Sequence, residues 1–249
     1  SYCLNSKSKR LFLTMQKLKL IECPRDAMQG IHDFIPTDVK IDYINSILAC
    51  GFHSVDFGSF VSPKAIPQLK DTREVLEGLN SSESKLLAIV ANERGANDAA
   101  SFERIDYLGY PFSVSEEFQK RNTNSTIDES LVRVEAIQEI AQKSNKELVL
   151  YLSMGFGNPY GDPWSPEIIM QWVEQIAALG VTIFSLSDTV GNAQVKDIEV
   201  LFSSLIAQYP DFEFGAHFHT HPKFWFEKVN AAFLAGCLRF DGTIKGRGG

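Results

Sequence analysis

Two histidines one residue apart, His217 and His219, stand in the run Gly215-Ala216-His217-Phe218-His219-Thr220-His221. Residues two apart on a strand share a face. If that face is inward, both imidazoles converge on one divalent cation; otherwise they are hydrogen-bonded or surface histidines. Pro222 is expected to end the strand before His221 can join them. A second run, Glu22-Cys23-Pro24-Arg25-Asp26-Ala27-Met28-Gln29-Gly30, supplies a carboxylate and a guanidinium side by side. Asp26 could complete a shell of two imidazoles and one carboxylate, which leaves positions open for substrate oxygens. Arg25 could face a developing oxyanion; the plainer reading is a solvated Arg–Asp pair in a turn. Asp56 closes another apolar run and could position a ligand or a metal-bound water. Lys64, a few residues on, could meet an anionic group. Asp188-Thr189 could add a polar ligand group or cap the next helix. Asn92, Arg94 and Glu116 complete a ring of polar groups.

These residues follow short apolar runs, and that is what gives them a common place. β-rich runs occur at 18–23, 54–57, 86–90, 105–108, 148–152, 182–186, 212–217 and 239–241, with helix-like stretches between, among them 40–49, 72–79, 128–143, 166–179 and 193–208. Thr37 is expected to cap the first of these helices, and Thr126 with Glu129 reads as a capping box. Ser165-Pro166-Glu167 puts proline where a helix lacks a partner for its N–H anyway. Strand and helix alternate at about 30 residues per unit, the length of a βα repeat. Eight such strands predict an α/β protein with a closed (β/α)8 TIM barrel, whose working residues lie at the carboxyl ends of the strands. An open doubly wound sheet is the alternative, but no G-x-G-x-x-G follows the first strand.

Length and composition agree. The 249 residues suit one barrel, with 44% hydrophobic and 22% charged residues. A net charge of -7 argues against a nucleic-acid partner. The four cysteines, Cys3, Cys23, Cys50 and Cys237, form no C-x-x-C pair. They read as reduced thiols of a cytoplasmic compartment, or of the mitochondrial matrix in a eukaryote. No apolar run reaches the roughly 20 residues of a membrane helix. Residues 1–14 carry Lys7, Lys9 and Arg10 without an acid and read as a leader or non-native segment ahead of a catalytic domain at 15–249.

Together the segments resemble 3-hydroxy-3-methylglutaryl-coenzyme A (HMG-CoA) lyase, within the group of metal-dependent barrel lyases and condensing enzymes. The specific pieces are Pro24–Gln29 (PRDAMQ), Ser59–Lys64 (SFVSPK) with Pro67-Gln68, Ser115-Glu116 with Phe118 and Asn122, Ser185–Gly191 (SLSDTVG), and His217–His219 with Asn230. The SFVSPK stretch points to the lyase branch. The resemblance implies that Asp26, His217 and His219 bind Mg2+ or Mn2+. It implies that Arg25, Asp56 and Asp188 are catalytic, with Arg25 stabilising an enolate oxygen and Asp188 near the substrate hydroxyl. Gln29, Ser59, Lys64 and Asn92 are the candidates for substrate binding. It also implies an acyl-CoA substrate and a homodimer. The reaction would be retro-Claisen cleavage to acetyl-CoA and acetoacetate. A related aldolase or Claisen-type condensing enzyme, or a non-catalytic metabolite-binding barrel, stands as the alternative.

The chain departs from the family pattern in several places. Ala27-Met28 replaces Gly-Leu, Asp56 replaces Glu, Thr220 replaces Asp, and Arg247 interrupts a Gly-Leu-Gly-Gly run. The family's catalytic Cys and a metal-binding Asn fall after Gly249, and so does the helix that follows the eighth strand. On that reading this chain by itself is expected to be inactive, with its final barrel helix missing.

Overall fold

In the computed structural model, which describes residues 18–247, eight parallel strands close on themselves in sequence order, β1 pairing with both β2 and β8. The strands are β1 (Lys19–Glu22), β2 (Ser54–Ser59), β3 (Lys85–Ile89), β4 (Tyr107–Ser113), β5 (Glu147–Ser153), β6 (Ile183–Asp188), β7 (Glu213–Phe218) and β8 (Arg239–Gly242). Helices α1 (Pro24–Gln29) and α2 (Thr37–Leu48) follow β1, and α3 (Thr72–Gly78) follows β2. Then come α4 (Glu93–Ala100), α5 (Glu116–Thr123), α6 (Ile127–Lys143), α7 (Pro166–Ala177), α8 (Val195–Gln208) and α9 (Trp225–Leu234). The barrel expected from the repeat is the barrel observed. The segment 1–14, Met15 and the final Gly248-Gly249 lie outside the described residues.

Strand alternation sorts the side chains into two cores. On β5, Val149 and Tyr151 point into the barrel with Leu87, Ile89, Tyr107 and Ile183. Leu148, Leu150 and Leu152 point outward and pack under the helices. Each fully buried leucine contributes about 1.5–3 kcal/mol of transfer free energy. The helices meet that layer with one face. On α7, Ile169, Val173 and Ile176 are buried at helical spacing, Ser165 caps by accepting the Ile168 N–H, and Pro166 occupies the first turn. The Thr126–Glu129 capping box is present at the start of α6.

Three local expectations change. The segment after β1 is the helix α1 rather than a turn, with Pro24 in its first turn. Thr37 is the first helical residue of α2, not its cap. Pro36 holds the cap position, and the Thr37 hydroxyl donates to Asp71 at 2.8 Å instead. β4 runs five residues past its expected end at Leu108, because Gly109 and Pro111, breakers in the sequence, sit in pairing register with β5. Gly109 is required there: a Cβ would lie 2.6 Å from Ile89 Cδ1 and 3.0 Å from Tyr151 Cε2.

Candidate active site

β7 presents the two histidines. His217 points into the barrel, Phe218 turns outward to pack edge-on against Phe156 and Phe202, and His219 follows just past the strand end. The apolar residue between them anchors the pair to the outer layer. α1 brings Asp26 over the barrel mouth, and its Oδ2 lies 3.9 Å from Nε2 of both His217 and His219. The three ligand atoms lie within 4.8 Å of one another.

The hydrogen bonds fix which ring nitrogen faces this point. His219 Nδ1 lies 2.9 Å from the carbonyl of Thr189. A carbonyl only accepts, so Nδ1 carries the proton and Nε2 keeps its lone pair. That Nε2 is buried with no hydrogen-bond partner among the described residues. His217 Nδ1 lies 3.1 Å from Asp241 Oδ2, so its Nε2 is directed at Asp26 as well. The Asp241 side chain is fully buried on β8 and also accepts from the Ser185 hydroxyl at 2.9 Å. A carboxylate behind a histidine is the usual support for a metal-ligating imidazole. Burial pulls the His217 pKa down, but the bond and charge of Asp241 outweigh it and raise the ring above its ordinary value. Burial likewise pushes Asp241 up, and His217 with Arg239 brings it below the usual carboxylate range. An orphaned, buried Nε2 beside a second Nε2 and a carboxylate oxygen is a donor set that fits a divalent cation.

Arg25 lies beside it. Its Nε donates to Asp56 Oδ2 at 3.0 Å and its Nη2 to the same oxygen at 2.5 Å. Its Nη1 donates to Asp26 Oδ1 at 3.1 Å and Gln29 Oε1 at 3.0 Å. The guanidinium is thus clamped from three sides, and buried. Burial alone would lower its pKa, but Asp56 and Asp26 hold it firmly charged. Asp56, entirely buried inside the barrel, is pushed up to about 6 by that burial despite Arg25. A cavity of about 180 Å³ opens above, lined by Arg25, Asp26, Gln29, Tyr151, Ser153, Ser187, Thr189, His217 and His219.

Other expected residues lie elsewhere. Asp188 is one residue out of phase. Ser185 and Ser187 face the barrel axis, so Asp188 faces the helix layer, where Lys228 of α9 meets its Oδ2 at 2.6 Å and the Ala193 N–H donates to its Oδ1. It lies outside the lining of the cavity. Ser59 and Asn92 line a separate cavity of about 230 Å³ with Lys70, Arg73 and Arg94. Asn92 caps α4 by accepting the Gly95 N–H at 2.9 Å. Lys64 is exposed and lines neither cavity. Asp241 and Tyr151 were not singled out in the sequence, and Ser185 figured only as the start of the Ser185–Gly191 run. The signal available for Asp241 was its position near the carboxyl end of the eighth strand. A larger cavity of about 370 Å³ lies around Lys19, Phe212, Glu213 and Arg239. Lys19, Glu213 and Arg239 pair with one another there, Arg239 with Glu213 at 2.7 Å and Lys19 with the same carboxylate, whereas the two imidazoles and Asp26 converge at the other mouth.

A (β/α)8 barrel with two imidazoles and a carboxylate converging at the carboxyl ends of its strands defines the class of metal-dependent barrel enzymes. Within that class the chain belongs to the HMGL-like family, whose model matches residues 17–249. It is 32% identical over 227 residues to hydroxymethylglutaryl-CoA lyase YngG of Bacillus subtilis (strain 168), covering 91% of this chain and 76% of that protein. The solved HMG-CoA lyase of Bacillus subtilis superposes with a TM-score of 0.88 at 31% identity, covering 94% of this chain and 78% of that one. An HMG-CoA lyase from Acinetobacter baumannii in complex with coenzyme A and 3-methylmalate superposes with a TM-score of 0.87 at 30% identity, covering 94% and 76%.

Proposed function

We propose that this chain is a divalent-cation-dependent carbon–carbon lyase that cleaves HMG-CoA to acetyl-CoA and acetoacetate, with residues 15–249 as its catalytic domain. One observation carries the reading: Asp26 Oδ2 faces two histidine Nε2 atoms at 3.9 Å, and Arg25 is clamped beside it by Asp56. The family membership and the coenzyme A complex of a relative support an acyl-CoA substrate.

Asp26, His217 and His219 would hold Mg2+ or Mn2+, whose charge lowers the pKa of a coordinated alcohol and polarises a carbonyl. The protein does the rest by placement. Asp241 and the Thr189 carbonyl keep both Nδ1 atoms protonated and both Nε2 lone pairs aimed at one point. As the bond between the α-carbon and the tertiary carbinol carbon breaks, the carbinol loses its proton and becomes the ketone of acetoacetate. The electron pair passes to the thioester as an enolate, the carbinol proton leaves to solvent, and the enolate α-carbon takes up a proton to give acetyl-CoA. Arg25 stands ready to donate an N–H to that enolate oxygen, and the bonds from Asp56 and Gln29 remove the need to reorganise as charge develops. Gln29 and the hydroxyls of Tyr151, Ser153 and Ser187 line the space the acyl group would fill.

The test is to incubate the full-length protein with Mg2+ and HMG-CoA and to quantify acetoacetate. The reading expects stoichiometric acetoacetate and acetyl-CoA. Turnover of a different acyl-CoA or of a 2-oxoacid, with none of HMG-CoA, would reject it in favour of a sister reaction on the same scaffold. We propose a homodimer too, checked by sedimentation velocity. The compartment follows the relatives, whose names include both cytoplasmic and mitochondrial enzymes. Among the described residues no helix is long and apolar enough to cross a membrane.

A further inference from the structure

Beside the Asp26–His217–His219 group lies a second set of donors, overlapping the first at His217 and adding Cys23, which the proposed reaction does not use. Cys23, His217 and Asp241 also offer ligand atoms within 4.8 Å of one another. They come from three neighbouring places: the residue between β1 and α1, the end of β7, and β8. Cys23 is 1% exposed. The Asp241 side chain is wholly buried, and its Oδ1 has no hydrogen-bond partner among the described residues, with Arg239 Nε in an ion pair at 3.8 Å. A small cavity of about 40 Å³ lies against these groups, lined also by Asp26, His219 and Thr243. That is room for a dehydrated ion, since one water needs about 10–15 Å³ on the same measure. A thiol, an imidazole and a carboxylate oxygen without a hydrogen bond around one small space offer lone pairs that a cation can accept together.

We propose that Cys23, His217 and Asp241 form a second cation site, selective for soft divalent ions such as Zn2+ or Cd2+, that shares His217 with the first. Sulfur ligation sets the selectivity: thiolate prefers soft ions, whereas Mg2+ and Mn2+ prefer oxygen. Cys23 binds as the thiolate and His217 through Nδ1, so cation entry releases the Cys23 proton to solvent and moves the His217 proton from Nδ1 to Nε2. Burial, with Asp241 and Asp56 close by, keeps the thiol protonated until then. A soft ion in the second site takes the Asp241 side of His217 and removes the hydrogen bond that aims the ring at Asp26. The site therefore offers a route to inhibition by soft metals that acts through His217. It goes beyond the lyase reading and does not depend on it.

The probe is CdCl2 titrated into the full chain carrying Cys3→Ser and Cys50→Ser, which leaves Cys23 and Cys237 as the thiols. One equivalent of Cd2+ is expected to produce a thiolate-to-metal charge-transfer band in the ultraviolet. Cys23→Ser should abolish the band and weaken Cd2+ binding about tenfold or more, the scale of losing a supporting group at a metal. Mn2+ affinity, read by electron paramagnetic resonance, should stay within about twofold, because Cys23 is outside the first donor set. Cys23→Ala repeats the test with a variant that cannot hydrogen-bond, and matched thermal melts establish that both variants fold. A band that never forms, a band that survives both substitutions, or an equal loss of Cd2+ and Mn2+ binding overturns the proposal. None of these results bears on HMG-CoA cleavage, which the acetoacetate assay decides separately.

Discussion

At the scale of single residues, the site rests on tautomers. His217 and His219 can ligate only because Asp241 and a backbone carbonyl each claim the other ring nitrogen. Asp241→Asn should therefore weaken Mn2+ binding about 10–100-fold without touching the ion, measured by Mn2+ titration. The pH dependence follows from the same bond. His217 has a raised pKa, so its imidazolium form persists to higher pH than in a free histidine, and that form cannot ligate. Mn2+ affinity should fall as pH drops through the raised value, and Asp241→Asn should move the midpoint to lower pH. The apo protein shows the opposite sign: its stability gain from this pair is full below the free histidine value and fades as pH rises through the raised one. Arg25→Lys keeps the charge but loses the planar fork that Asp56 and Gln29 grip. It should lower kcat for HMG-CoA by about 100-fold or more while Mn2+ affinity holds, in steady-state assays. The residue types Asp26, His217 and His219 were legible in the sequence because they sit in short, distinctive runs. Asp188 was misplaced because a period of two makes its neighbour Ser187, not Asp188, face the axis, and the sequence alone does not set that phase.

At the scale of elements, the barrel strands carry their pattern openly, since apolar alternation on both faces marks β3 to β7. The short helices do not. α1, α4 and α5 span six to eight residues, too few for a periodic face to register. α1 matters most, because it converts an apparent turn into the platform that brings Arg25 and Asp26 over the mouth. Two element-level joints can be tested. Lys228 ties α9 to β6 through Asp188, both buried. Lys228→Met strands a buried carboxylate and should cost about 3–5 kcal/mol in urea unfolding. Glu22 ends β1, accepts the Ile244 N–H at 2.9 Å, and is pushed up to about 7 by burial. Its stabilising protonated form is present at acid pH and lost as pH rises through about 7. Glu22→Gln keeps the acceptor and removes the charge. It should raise the melting temperature by roughly 2–4 °C at pH 8 and change it little at pH 5.

At the scale of the whole molecule, closure is what brings residues 26, 56, 217, 219 and 241 to one mouth, from elements at opposite ends of the chain. The eight-fold repeat predicted that closure, so the class of site could be read from order and spacing. Its supporting shell could not. Ser185 and His217 both meet Asp241 across β6, β7 and β8, and such distances depend on register between strands. Ser59 and Asn92 lie near the same rim in sequence terms but open onto a separate cavity, because the bulge between Asp56 and Gly58 and the Asn92 cap turn them away. The most direct test of the central claim is pulsed electron paramagnetic resonance on the Mn2+-loaded protein, which detects nitrogen nuclei bonded to the ion. The account predicts couplings from two imidazole nitrogens, one of them lost in His217→Ala and the other in His219→Ala. A bound Mn2+ with no nitrogen coupling, or with coupling unchanged by either substitution, would contradict it.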